Sequence, residues 1–146
     1  MSLPAPVPGL VVRYSYLWHD EYVAGREEGR KDRPCAIVAA IRNEGDKRIR
    51  VLVLPITHSR PEHGIDSIEI PAEVKRRLQL DEERSWIVIS QANEFVWPGP
   101  DLRRIPGGDE SSFVYGVIPP KLFATIRNRF AAIFVRGDFH SVRRTQ

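Results

Sequence analysis

Residues 30–59 read RKDRPCAIVAAIRNEGDKRIRVLVLPITHS. Two apolar runs rich in Val and Ile, Cys35 to Ile41 and Ile49 to Ile56, flank the polar segment Asn43 to Lys47. Such runs, joined by a short polar segment with a glycine, predict a β-hairpin in which Gly45 takes the backbone positions other residues avoid. Arg33-Pro34 enters the first strand, and Pro55-Ile56-Thr57-His58-Ser59 leaves the second. Antiparallel pairing sets the start of one strand beside the end of the other, so Arg33 and Thr57 are expected as neighbours.

Outward from the hairpin, the chain reads as a wall around that corner. An extended, proline-bearing segment (1–8) precedes a single domain (9–137), and residues 138–146 read as a frayed tail. Leu10 to Trp18 predicts a strand with Val12, Tyr14 and Tyr16 on one face. His19 to Asp32 is a long polar connection, a length typical of binding loops or lids, although a solvated excursion has the same composition. Further strands are expected at Ser67–Ile70, Ser85–Trp97 and Phe113–Ile118. A short helix is expected over residues 71–78, where Pro71 suits a first turn and Val74 and Leu78 form an i, i+4 pair. A longer one is expected from Lys121 to Phe134, its apolar residues recurring every three to four positions and Gly137 placed to cap it. The sum is a mainly β, α+β domain: a small, strongly bent antiparallel barrel or sheet with a terminal helix. That helix is apolar around enough of its girth to meet both the sheet and a second subunit.

The chain has 146 residues, 42% apolar and 28% charged, ordinary for one globular domain. Its 22 basic and 19 acidic residues suit nucleic acid without requiring it. The first ten residues lack the pattern of a secretory leader, and no run approaches the ~20 apolar residues of a membrane span. A cytoplasmic protein with no membrane association is the expectation. Cys35, the one cysteine, lies in an apolar run and reads as buried packing rather than a nucleophile.

Arg33 carries the chemistry best. An arginine held at a strand by a following proline presents a permanently charged fork suited to phosphate oxygens. Thr57 adds a hydroxyl hydrogen bond to the same anion. His19 and His58 are the candidates for general acid or base. The same residues have an ordinary reading, in which Arg33 pairs with Asp32 or a loop carboxylate and Thr57 closes a turn; spacing leaves both open. The four histidines show no metal-ligand spacing, Gly107-Gly108 makes no phosphate loop, and no serine sits in a nucleophile elbow. Trp18, Trp86 and Trp97 are of a type that stacks bases, though core or interface roles suit most of them better.

Three blocks in order carry a resemblance: Gly9-Leu10-Val11-Val12, then Arg33-Pro34-Cys35-Ala36-Ile37-Val38, then Pro55-Ile56-Thr57. With Gln91 and Trp97 they resemble the MazF/PemK (Kid) toxins, over most of the chain from Gly9 to the terminal helix. The resemblance implies an SH3-like β-barrel with an added helix, usually a homodimer. It implies the toxin of a type II toxin–antitoxin pair, a metal-independent, cofactor-free, sequence-specific endoribonuclease. Such enzymes turn the RNA 2′-OH on the adjacent phosphate and leave a 2′,3′-cyclic phosphate and a 5′-OH. By position, Arg33 would stabilise the phosphorane or assist proton transfer, and Thr57 would hold a phosphate oxygen. Arg30, Lys31, Ser59, Arg60, Gln91 and Asn93 would contact single-stranded RNA. A small antitoxin with an acidic, disordered tail would cover the Arg33–Thr57 groove.

The chain departs from the family where many members have Asp before the Gln and a basic residue two positions after it; here stand Ser90 and Asn93. Ser90 removes an acid/base candidate. Strand alternation sends His58 to the face opposite Thr57 unless the chain turns there, which favours His19. These departures motivate a second expectation, a barrel of the same fold that binds RNA or protein without cutting, as a gyrase poison does.

Overall fold

In the computed structural model, which describes residues 4–26, 29, 31–63, 65–107 and 112–144, eleven elements follow one another. They are β1 (Leu10–Tyr14), α1 (His19–Val23), β2 (Arg33–Arg42), β3 (Ile49–Thr57), β4 (Ser67–Glu69), α2 (Ala72–Arg77), β5 (Trp86–Val88), β6 (Gln91–Val96), β7 (Val114–Val117), α3 (Pro120–Arg136) and β8 (His140–Arg143). The two apolar runs pair as a hairpin from Cys35↔Pro55 to Arg42↔Ile49. Its turn is closed by Asn43, whose side-chain oxygen accepts the N–H groups of Gly45 and Asp46. The left-handed position falls on Lys47 (φ 65°) rather than on the expected Gly45.

The sheet runs in the order β4-β5-β3-β2-β1-β7. β3 changes partner along its outer edge: Arg50–Val53 pair with β6, and Ile56–Thr57 with β5. Pro55, which has no N–H to give, falls at that change. A bulge at Val38 bends β2, and another bends the β1–β7 pair. All pairings are antiparallel except that of β6 with β8. The result is a β-rich α+β fold whose helices are few. None of its described helices is long and apolar enough to cross a membrane.

Central strands are buried on both faces, which is why their sequences read as continuous apolar runs. Val11, Val38, Leu54, Ile56 and Ile87 form one core with Leu78 from the end of α2 and Ile126 from α3. Val12, Tyr14, Tyr16, Ile37, Val53 and Phe95 form the other. α3 ends where Gly137 adopts φ 81° and closes the last turn. It turns Ile126 and Ile133 inward and leaves Phe134 and Val135 exposed.

Three sequence expectations are corrected. The stretch 85–97 is two strands, because the chain bends at Ile89–Ser90 as it passes from one part of the β3 edge to the other. The 19–32 connection opens with a helix, α1, whose first turn is fixed by the Trp18 N–H donating to the Glu21 carboxylate at 3.1 Å. The last residues are not frayed. β8 runs parallel to β6 in the register Gln91↔His140 to Glu94↔Arg143. Val142 and Arg144 are both buried there, so residues 138–144 belong to the domain.

Candidate active cleft

The hairpin register carries Arg33 and Thr57 to one end of the sheet, where both line a cleft of about 940 Å³. Arg33 is only 9% exposed. Its guanidinium carbon lies 5.0 Å from the centre of the Trp18 ring. Its Nε is buried and has no hydrogen-bond partner among the described residues. Burial is the main reason its pKa is drawn below the ordinary arginine value, yet an arginine stays charged under any physiological condition. The ordinary partner is engaged elsewhere, since Asp32 pairs with Arg13 at 4.0 Å and Arg103 at 3.7 Å. A desolvated cation braced on an aromatic face, its Nε without a hydrogen-bond partner among the described residues and the charge of Glu21 nearby, is a candidate site for an anion.

Thr57 is half-buried, and its Oγ1 accepts the N–H of Ser59 at 3.1 Å. The turn reading therefore holds, and it leaves the hydroxyl proton available to donate. His19, at the start of α1, Lys31, Ser59, Arg60 and Gln91 line the same cleft. Gln91 is held in place, its side-chain oxygen accepting from the Tyr16 hydroxyl at 3.1 Å and the His19 N–H at 3.0 Å. Arg30 lies outside the described residues.

His58 lies elsewhere. It lines a smaller cavity of about 250 Å³ that shares Arg33 and Lys31 with the larger cleft, with Arg13, Asp32, Asp81, Ser85 and Tyr115. Its Nε2 is 2.7 Å from Asp81 and 3.5 Å from Glu83. Nδ1 meets Ser85 Oγ at 3.0 Å. The order Ser85–His58–Asp81 has the connectivity of a hydrolase triad, but Ser85 is only 1% exposed, and His58 and Asp81 are engaged in the network with Lys75 and Glu83. Asp81 also receives the buried ammonium of Lys75 at 2.8 Å, and Lys75 donates to the Glu83 carbonyl. Among the described residues, His58, Asp81 and Glu83 are the one group close enough to share a metal ion. Lys75 already holds the charge of Asp81 there. This cluster ties the loop after α2 to the end of β3.

Asn93 is the clearest correction to the expected RNA contacts. It is fully buried. Its amide donates to the Leu17 carbonyl at 2.7 Å and its oxygen accepts the Leu17 N–H at 2.9 Å. Arg144 donates to the same oxygen at 3.0 Å and to the Ser15 carbonyl, and pairs with Asp101 at 3.3 Å. Asn93 thus fixes the segment that carries Trp18 and His19. The negative charge of Glu94 is met by Arg50 and Arg143. Cys35 is fully buried, and burial holds its thiol far above the ordinary range, in keeping with packing.

Sequence reasoning missed two partners. Trp18 as the brace for Arg33 follows from chain geometry after β1 and has no spacing signal. His140, stacked on His19 with ring centres 4.2 Å apart, arrives through the parallel β6–β8 pairing, which no local pattern announces. No protein-family model, curated protein or solved structure gives a significant match to this chain.

Proposed function

We propose that the cleft binds single-stranded RNA and cleaves it as an endoribonuclease of the MazF/PemK kind, on a sheet that closes as an SH3-like barrel. The observation that carries the reading is Arg33, a cation only 9% exposed and braced on Trp18, whose Nε has no hydrogen-bond partner among the described residues. Its neighbour Thr57 retains a hydroxyl proton to donate. In this reading the two hold the non-bridging oxygens of one phosphate, and Arg33 gains most as negative charge builds on the phosphorane. The attacking group is the substrate's own 2′-OH, so what the protein adds is positioning, charge and proton transfer. His19 is the acid/base candidate that lines the cleft; His58 lines the neighbouring smaller cavity.

As a toxin the protein would be silenced by a small antitoxin whose acidic tail neutralises Arg33. The exposed Phe134 and Val135 of α3 would be covered in a homodimer. The deciding experiment is cleavage of one long RNA, in EDTA, by wild type and Arg33→Ala, with the product ends mapped. Discrete cuts with 5′-OH ends, lost in the variant, are the expected result. Intact RNA over a wide enzyme excess would sink the reading. It would then favour the binding-only barrel, to which Ser90 and the diversion of His58 already point.

A further inference from the structure

The cleft holds one group that phosphate chemistry leaves unused. The imidazole of His140 lies on that of His19, with planes 20° from parallel. Both backbones are anchored. The His19 N–H donates to Gln91, and the His140 N–H donates to the Ser90 carbonyl at 3.0 Å. His140 also stands opposite Gln91 in the β6–β8 ladder. His19 is half-buried while His140 is exposed. With one ring face covered by His19, the exposed part of His140 is its edge and outer face, and it borders the cleft.

A flat π-face with a rigid backing binds another flat π-system at little cost in side-chain freedom. Proteins that grip unpaired RNA use such faces, histidine among them, because every base offers a matching surface. Four carboxylates border the cleft, Asp20, Glu21, Glu62 and Asp138; Glu21 is paired with Arg26 at 3.8 Å, and Asp138, two residues before His140, with Arg136 at 3.1 Å. An acidic peptide, the other occupant the cleft suggests, would use Arg33 and Lys31 and have no need of the ring.

We infer that His140, backed by His19, is a nucleobase-stacking subsite. One base of a single-stranded RNA lies on the outer face of His140 while a phosphate of the same strand reaches Arg33 and Thr57. The inference rests on the RNA reading of the cleft and is independent of cleavage.

The test uses labelled 2′-O-methyl RNA hexamers of varied composition, which lack the 2′-OH nucleophile, with binding read by anisotropy. The tightest hexamer is remade with a single abasic nucleotide at each position in turn. Wild type should lose roughly 5- to 150-fold in affinity at one position. His140→Ala should bind the intact hexamer more weakly by a similar factor and be indifferent to the abasic nucleotide at that position. His140→Phe, which keeps a ring, should reproduce the wild-type pattern. The subsite is wrong if the abasic losses persist unchanged in His140→Ala at every position, or if His140→Phe binds as weakly as His140→Ala. It is also wrong if wild type and His140→Ala bind intact hexamers alike, or if wild type binds none, results that would favour a peptide occupant. Cleavage is scored separately on unmodified RNA. Its absence beside the coupled binding pattern would overturn the endoribonuclease and leave the base subsite standing.

Discussion

Arg33 is shared by two cavities that differ in one respect. On the side of the smaller one, the carboxylates are spoken for: Asp32 by Arg13 and Arg103, Asp81 by Lys75 and His58. The buried Nε of Arg33 itself has no hydrogen-bond partner among the described residues, and in the larger cleft His19 Nδ1 has none either. Both sides are rich in charge, so charge alone does not mark the site. A network that satisfies itself stabilises the fold, whereas a buried group left unsatisfied costs about 1–3 kcal/mol and persists where a ligand completes it.

That contrast is open to attack by mutation. Arg33→Ala should have the largest effect, lowering cleavage roughly 100- to 1,000-fold, the scale of removing one donor to a developing oxyanion. Its melting temperature should barely fall, since the variant relieves a desolvated charge. Thr57→Val should cost roughly 10- to 100-fold in the same RNA assay, as one hydrogen bond to a charged oxygen is lost. Asn93→Ala should show the reverse balance, losing roughly 3 kcal/mol in urea unfolding because Leu17 is stranded without partners. Slower cleavage should follow as Trp18 and His19 loosen. His58→Ala should leave cleavage close to the wild-type rate; a loss comparable to that of Arg33→Ala would place the chemistry in the wrong cavity.

The smallest expected effect concerns acid stability. Burial pushes Asp81 up, but the Lys75 hydrogen bond and the charges of His58 and Lys75 together hold it below its ordinary value. A carboxyl depressed in the folded state stabilises the fold above its unfolded pKa of roughly 4, and that support is lost as pH falls through the lower folded value. Wild type should therefore lose stability below about pH 4, and Asp81→Asn should flatten that limb of the unfolding curve.

How far the sequence revealed this arrangement depended on the range of each interaction. The hairpin was legible because its two continuous apolar runs pair across a turn of a few residues, and its register brought Arg33 to Thr57. The family resemblance supplied a role for that pair which spacing alone could not. β8 was illegible for the opposite reason: His140-Ser141-Val142-Arg143 buries one apolar side chain and pairs with a strand far back in the chain. Asn93 was misread because a buried amide and an RNA-contacting one look alike until the backbone it serves is known. His58 lies just past the end of β3, where the chain bends, so its place follows from the turn after Thr57 and not from strand alternation.

The parallel strand β8 also bears on how the protein is made. A ribosome delivers Arg33, Thr57 and Gln91 long before it delivers His140 and Arg144. Until then His19 has no ring beside it, and Asn93 lacks the guanidinium that joins it to Ser15 and Asp101. The cleft is therefore completed only after residues 140–144 have followed β6 out of the ribosome. The β2–β3 corner that holds Arg33 and Thr57 can form while the rest of the cleft remains unbuilt.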